Sequence, residues 1–537
     1  MRQEVLGIFT NRGVLITEPA GKRILQSENP LEDARRVLES VPESMVFLSL
    51  DDVEKVLGVV LLEDEEKLVS CCTPLGKDED PFENEKTASE LSFSSTEEEA
   101  QSMSHNIDMS DLPDSFLDFP ARNMSSNVNM LLDTSEAGSS SGDIRGFQSY
   151  FKDRYFSIRE MVRRRRGYAI VTKIGQISHD VSDIKLIGMV KDVSTNKFGD
   201  KYVELEDDTG SAKLFISRES KFVHMPLICD EVIGVTCKRA GGRTGLKVED
   251  LVFPEIPTQR QRNTADHDVA VAFCSDIHVG STTFLGPAWK RMVSSLRGGN
   301  GMGDWAGMIK YIVVPGDVVD GIGIFPSQHE ELVIDEIDRQ YMELAKLMSP
   351  IPDHIEILML PGNHDAVRPA EPQPTFARSI QEMFVDQGVN VRFLGNPSGF
   401  NIEGVNVLAY HGRSMDDLVG AIPGLSYEKP LEAMKFMLQK RHLAPIYGGR
   451  TPLAPEEKDH LLIEEAPDIF VTGHVHSVGS ELHRGVLLVN ASTWQSQTIF
   501  QKMHNFNPLP AKVPVVNLHD LELRIFDFME DRVSRTV

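Results

Sequence analysis

Five short clusters in the second half of the chain gather the residue types that bind metal ions and move protons. They are Asp276-Ile277-His278, Gly316-Asp317-Val318-Val319-Asp320, Gly362-Asn363-His364-Asp365, Tyr410-His411-Gly412 and Gly473-His474-Val475-His476. Asp, Asn and His supply oxygen and imidazole donors, a set suited to Mn²⁺, Fe or Zn²⁺ and without the soft thiolates of a structural zinc site. One Asp-x-His alone is more often a turn or a helix cap. Five such clusters in order, each closing an apolar run, read instead as one centre assembled where several strands end side by side.

The elements that must position them follow from the same stretch. Apolar runs at Val269 to Phe273, Tyr311 to Val314, Ile355 to Leu360, Val405 to Ala409, Ile469 to Thr472 and Val486 to Val489 have the length and β-branched content of buried strands. Between some of them lie helical patterns, Glu330 to Leu347, Phe376 to Gln387 and Leu431 to Leu443. Strands alternating with helices predict a layered α/β domain over 267–537, with its working residues on loops at the carboxyl ends of strands.

Upstream the chain changes character repeatedly. Residues 1–62 predict a small helical unit: Leu31, Ala34, Val37, Leu38 and Val41 recur at helical spacing, with Glu32 and Asp33 in the first turn. Asp51 and Asp52 open a second short helical pattern through Val53, Val56 and Leu57. Residues 63–146 are rich in Glu, Asp and Ser. Twenty acidic and four basic residues lie between Glu63 and Asp143, so most of the net charge of −26 sits there. Such a segment buries too little apolar surface to offset its ordering entropy and predicts a disordered acidic linker, with Leu112 to Phe119 as one apolar island. A basic helix is expected over 147–167, where Lys152, Arg154, Arg159 and the run Arg163 to Arg166 either hold a phosphate backbone or pair with acidic surface elsewhere.

Residues 168–257 alternate apolar and polar in short stretches, Ile184 to Val190, Val203 to Leu205, Ala212 to Ile216, Val232 to Val235 and Leu246 to Val248, with a helix expected from Ser217 to Leu227. That pattern suits an OB-fold barrel. A single-strand-binding barrel needs exposed aromatics, and Phe198, Tyr202 and Phe215 are the strand candidates, so a protein-docking or structural role is favoured. The fold class expected is multidomain α+β: helical N-terminal unit, disordered acidic linker, OB-fold barrel and layered α/β domain. The five cysteines, Cys71, Cys72, Cys229, Cys237 and Cys274, show no CxxC spacing and exclude a disulfide framework or zinc ribbon. With no apolar run of about 18 residues, an intracellular, cytoplasmic location is expected.

In their order and spacing the five clusters resemble the calcineurin-like metallophosphoesterase superfamily. Combined with the barrel, the linker and the N-terminal unit, the layout resembles the small-subunit family of the archaeal family D DNA polymerases. The resemblance implies two metal sets. Asp276, His278, Asp317 and His476 would hold one ion, and Asp317, Asn363, His411 and His474 the other, with Asp317 bridging. Two ions about 3.5 to 4 Å apart clamp the attacking and leaving oxygens of an in-line phosphoryl displacement. His364 would stabilise the transition state or protonate the leaving alkoxide, and Asp320 and Asp365 would support the ligands. By its position directly after His411-Gly412, Arg413 is expected either to contact a substrate phosphate or to form a structural salt bridge. In the related eukaryotic accessory subunits these ligands are largely lost, whereas all are present here. The implied activity is a 3′→5′ DNA exonuclease with Mn²⁺ as the expected metal and Mg²⁺, Fe or Zn²⁺ as alternatives. The implied partners are a large catalytic subunit, DNA with single-stranded or mismatched 3′ ends, and the sliding clamp. A non-catalytic assembly subunit and a stand-alone phosphoesterase are the competing readings. His329, His354 and His442 stand outside the motifs and are expected at the surface, and Trp494 is expected in packing.

Overall fold

A computed structural model describes parts of residues 15–57, then residues 107–530 except 114–118, 137–141, 179–182, 240–244, 300 and 504–505, and finally 535–536. Most of the acidic segment, 58–106, lies outside the described residues. In the N-terminal unit, Pro30–Ser40 is a helix whose Ala34, Val37 and Leu38 are buried with Ile24 and Val53. Two short parallel strands, β1 (Leu15–Ile16) and β2 (Phe47–Leu48), accompany it.

The remainder is built from a closed barrel and two stacked sheets. The barrel comprises β4 (Ile184–Thr195), β5 (Lys201–Asp207), β6 (Gly210–Ile216), β7 (Val232–Arg239) and β8 (Leu246–Val252), in the order β4-β5-β6-β8-β7. Its expected helix at 217–227 is absent. The segment runs through turns and drops Phe222 and Val223 into the barrel core, which the helical spacing alone does not reveal.

The first sheet has seven strands in the order β12-β11-β10-β9-β18-β19-β20. These are β9 (Ala270–Phe273), β10 (Ile309–Pro315), β11 (Glu356–Leu360), β12 (Val391–Phe393), β18 (Lys512–Asn517), β19 (Leu523–Asp527) and β20 (Arg535–Thr536). The second orders β16-β17-β15-β14-β13-β3, from β3 (Val128–Leu132), β13 (Ser398–Ile402), β14 (Val405–Tyr410), β15 (Ile469–Thr472), β16 (Gly479–His483) and β17 (Val486–Asn490). Strands β9 to β12 run parallel, as do β14, β15 and β17. Between the sheets, Val271, Phe273, Val313 and Leu358 of one meet Phe400, Val407, Val471 and Val489 of the other. Burial on both faces accounts for strands that read as unbroken apolar runs. Helices Gly286–Leu296 and Ile337–Met348 cover the outer face of the seven-stranded sheet, and helix Pro430–Lys440 that of the six-stranded one.

Three further expectations are corrected. The segment 63–146 is not disordered throughout: β3 pairs antiparallel with β13 at the sheet edge, and Phe119 and Thr134 are buried. The pairing satisfies the backbone of this stretch, and its Val128 and Met130 pack on the core between the sheets, so order is achieved despite the polar surroundings. The basic helix runs over Ile144–Arg163, and its Arg154 is no phosphate ligand. Fully buried, it donates from Nε to Asp459 Oδ2 at 2.8 Å and from its other nitrogens to Pro445 O and Tyr150 Oη, both at 2.9 Å. His442, expected at the surface, is buried with Nε2 2.7 Å from the same Asp459 oxygen. His354 is half-buried and His329 exposed.

This junction yields a stability prediction. Burial alone would raise the Asp459 carboxyl, but His442 and Arg154 beside it hold it well below the usual carboxylate range. Asp459→Ala leaves the Arg154 charge buried without its partner and is expected to cost about 3 to 5 kcal/mol, read from the denaturant midpoint. A carboxyl depressed in the folded state contributes stability that is present above its unfolded pKa of about 3.9 and lost as the pH falls below it. The stabilities of wild type and variant should therefore converge in acid.

Candidate active site

Each cluster sits immediately past the carboxyl end of a strand: Asp276 and His278 after β9, Asp317 and Asp320 after β10, Asn363 and His364 after β11, His411 after β14, and His474 and His476 after β15. Because these strands are parallel within each sheet, their loops share an edge. The backbone there is unusual. Asp276, His278, Asp317, His474 and His476 all have positive φ, between 48° and 69°, a region that residues other than glycine enter at a cost and that clusters at functional sites. Close approach also explains two of the small residues that introduce the clusters. A Cβ on Gly362 would lie 2.2 Å from Asp317 Oδ1, and one on Gly473 would lie 2.0 Å from Ser275 Oγ and 2.5 Å from Asp276 Oδ2.

The side chains form contiguous groups. Asp276, His278 and His476 offer ligand atoms within 4.8 Å of one another, as do Asp317, His411 and His474, and as do His278, Asp320 and His364. Asn363 Oδ1 adds to the second group, 3.0 Å from His411 Nε2. Asp317 falls in the second group and not the first. It adjoins His364 instead, whose backbone N–H donates to Asp317 Oδ1 at 2.8 Å.

Hydrogen bonding fixes which nitrogens remain for a cation. His278 Nδ1 lies 3.1 Å from the Asp320 carboxylate, and His411 Nδ1 lies 2.8 Å from the Pro315 carbonyl. Neither oxygen carries a hydrogen, so each Nδ1 donates and each Nε2 is left to hold a proton or a cation. His411 Nε2 faces acceptors, 3.0 Å from Asn363 Oδ1 and 3.3 Å from Asp317 Oδ2, whereas His278 Nε2 lies 3.0 Å from His476 Nε2. A ring nitrogen set among acceptors requires a proton or a cation between them. Burial lowers the His411 pKa, yet Asp317 and Asp276 overcome it and raise it to about 10, a measure of the same demand. His474 adds a buried Nδ1 with no hydrogen-bond partner among the described residues. The donor set therefore fits divalent cations.

Supporting residues complete the site. Gln328 and Gln495 donate to the Asp320 carboxylate at 3.0 and 3.1 Å. Asp365 accepts from the Gly362 N–H at 2.8 Å, and burial together with the Asp317 charge pushes its carboxyl up to about 7. His364 Nδ1 is 2.7 Å from the Asp320 carbonyl, which leaves Nε2 for the cavity, and burial lowers the ring's pKa. Trp494 is buried, its ring 4.9 Å from that of Trp289, and its backbone N–H donates to Asp276 O. Arg413 lines the cavity and donates to Pro369 O at 3.0 Å. Sequence reasoning missed Asp416, 3.2 Å from His474 Nε2, and Gln501, 2.8 Å from His476 Nδ1. Asp416 follows the His411 cluster closely, a cue that proximity offered. Gln501 sits on a five-residue helix, Ile499–Met503, with no sequence signal.

The groups open on a cavity of about 640 Å³ whose lining includes Phe325, Tyr427 and Phe506 as well as Arg413 and Arg450. Chemically, it combines cation-binding donors, a histidine nitrogen available for proton transfer, cations suited to phosphate and flat apolar walls.

Comparison with known proteins finds relatives of this chain. The family model for the B subunit of DNA polymerases alpha and epsilon matches residues 271–479. The DNA polymerase II small subunit of Archaeoglobus fulgidus is 42% identical over 392 residues, covering 72% of this chain and 78% of its own length. Those of Methanocaldococcus jannaschii and Methanothermobacter thermautotrophicus are 38% and 39% identical, covering 78% and 74% of this chain and 72% and 82% of their own. A solved structure described as a novel archaeal phosphodiesterase covers 48% of this chain and 98% of its own at 13% identity, with a TM-score of 0.25. At this level of identity across most of its length, the chain belongs to the family of DNA polymerase II small subunits, the small subunits of archaeal family D DNA polymerase.

Proposed function

We propose that this small subunit carries a two-metal 3′→5′ exonuclease centre that hydrolyses DNA phosphodiesters at single-stranded or mismatched 3′ ends. The observation that supports it most is the gathering of Asp276, His278, Asp317, Asn363, His411, His474 and His476 into contiguous groups, with His278, Asp317, Asn363, His474 and His476 lining one cavity. Divalent ions bound by these donors, Mn²⁺ foremost, supply charge neutralisation and an activated water for in-line displacement.

The chain's own residues do the rest. Asp320 orients His278 through its carboxylate and anchors His364 through its carbonyl. His364, with Nε2 left for the cavity, transfers a proton to the leaving alkoxide. Arg413 and Arg450 meet the phosphate oxygens that do not react. Phe325, Tyr427 and Phe506 form a wall for the terminal base and exclude water. A cavity of about 640 Å³ suits one nucleotide rather than a duplex, in keeping with a frayed end as substrate. A large catalytic subunit is the partner in this reading, the sliding clamp a further one, and the nucleoid the place of work.

An assembly subunit without hydrolysis is the second reading, favoured by the relatives' name. Metal uptake separates the two. Stripped protein titrated with Mn²⁺ should bind two ions per chain and gain hydrolysis of bis(4-nitrophenyl) phosphate in proportion to the ions bound. Two ions bound with no hydrolysis would favour the assembly subunit.

A further inference from the structure

Each histidine proposed to hold a cation has one ring nitrogen engaged by the chain itself. For His278 and His411 that atom is Nδ1, held by the Asp320 carboxylate at 3.1 Å and by the Pro315 carbonyl at 2.8 Å. For His476 it is again Nδ1, 2.8 Å from Gln501 Nε2. His474 is reversed. Its Nε2 is the engaged atom, 3.2 Å from Asp416 Oδ1, while its Nδ1 is buried with no hydrogen-bond partner among the described residues. Of these rings, His474 alone is left to offer Nδ1 to a cation.

The backbone of His474 is fixed without Asp416. It lies at φ 69°, and its N–H donates to Asp276 Oδ2 at 2.9 Å. Those contacts leave the ring free to turn and to carry its hydrogen on either nitrogen. A carboxylate has no hydrogen to give, so the bond to Asp416 puts the hydrogen on Nε2 and the lone pair on Nδ1. Asp416 is well placed to impose this. It belongs to the helix Met415–Ala421, and its own N–H donates to Arg413 O at 3.1 Å, which ties it to the His411 cluster. Tyr427 and Arg450, which line the cavity, also face its carboxylate. A carboxylate behind a metal-bound imidazole fixes ring orientation and tautomer and raises the ligand's basicity.

We propose that Asp416 is the positioning residue of one of the two cation sites: by accepting the His474 Nε2–H it holds that ring with Nδ1 toward Asp317 and His411. These are the residues with which His474 forms a group of ligand atoms within 4.8 Å of one another. The group of Asp276, His278 and His476 has its own supports, Asp320 and Gln501, and does not depend on Asp416. Asp416 acts through His474 and meets no reacting atom. The inference rests on the two-metal reading and adds to it a residue that governs one ion and not the other.

The test titrates the full, metal-stripped chain with Mn²⁺ by calorimetry and follows the bound ions by electron paramagnetic resonance. In Asp416→Ala one ion should bind as in wild type and the other about 10 to 100-fold more weakly. At a Mn²⁺ concentration that fills both wild-type sites, the spectrum of a coupled pair should give way to that of an isolated ion. Asp416→Asn keeps an oxygen that accepts the Nε2–H and should fall between wild type and Asp416→Ala. Raising Mn²⁺ about 100-fold should return Asp416→Ala hydrolysis of bis(4-nitrophenyl) phosphate toward the wild-type rate. The metal-free unfolding midpoint should not change. Wild type and Asp416→Ala that take up two ions with equal affinity overturn this proposal alone, whereas wild type that takes up fewer than two overturns the two-metal reading with it. Weakening of both ions alike, or a fallen metal-free midpoint, makes Asp416 a structural residue and overturns the proposal as well.

Discussion

Asp317→Asn is expected to slow hydrolysis of a DNA 3′ end by at least about 10³-fold, since even one charge-stabilising group is worth about 10² to 10³ in kcat. Asp317 does more than one such group. Its Oδ2 stands 3.3 Å from His411 Nε2, its Oδ1 accepts the His364 N–H, and it shares a cluster with His474. Asparagine keeps the shape and can still accept the His364 N–H, but it removes the charge that neighbouring donors are arranged around. Metal uptake should fall from two ions per chain, with circular dichroism unchanged. An assembly subunit would lose nothing in this variant, so retained hydrolysis at the wild-type rate would remove Asp317 from the chemistry.

His364→Ala is expected to act differently. None of the seven proposed cation donors is touched, so two ions should still bind, while kcat on DNA falls by about 10² to 10⁴-fold with KM little changed. The distinguishing readout is the leaving group. Nitrophenolate departs without a proton, so with bis(4-nitrophenyl) phosphate the loss should shrink to less than about tenfold. An equal loss on both substrates would mean that the histidine stabilises charge rather than delivering a proton to the alkoxide.

The fold of residues 267–537 was legible because its strands are buried on both faces. Apolar runs such as 311–314 and 469–472 end within one residue of their strands, and the polar clusters mark where those strands stop. Local sequence could not show contacts made across hundreds of residues. Arg154 reads as one more cation in a basic run, yet Asp459, 305 positions later, makes it part of the buried junction. His442 was misplaced because its burial follows from the same Asp459, 17 positions on and outside any local periodicity. β3 is short and sits in an acidic stretch, so only its pairing with β13 reveals it. At the site, Gln501 is found only by distance and Asp416 has no cue beyond its nearness to His411, while the positive φ of five proposed ligands is a property of the folded loops. Phe215 alternates with two core residues, and the sequence left open which face it takes.

The most direct measurement is digestion, by the wild-type chain with Mn²⁺, of a 5′-labelled oligonucleotide carrying a mismatched 3′ end, alone and in complex with the large subunit. A ladder that shortens one nucleotide at a time from the 3′ end, abolished by EDTA, is the expected result. A complex that assembles normally but leaves the oligonucleotide intact with Mn²⁺, Mg²⁺, Fe²⁺ and Zn²⁺ alike would contradict the proposed exonuclease and leave the assembly role in its place.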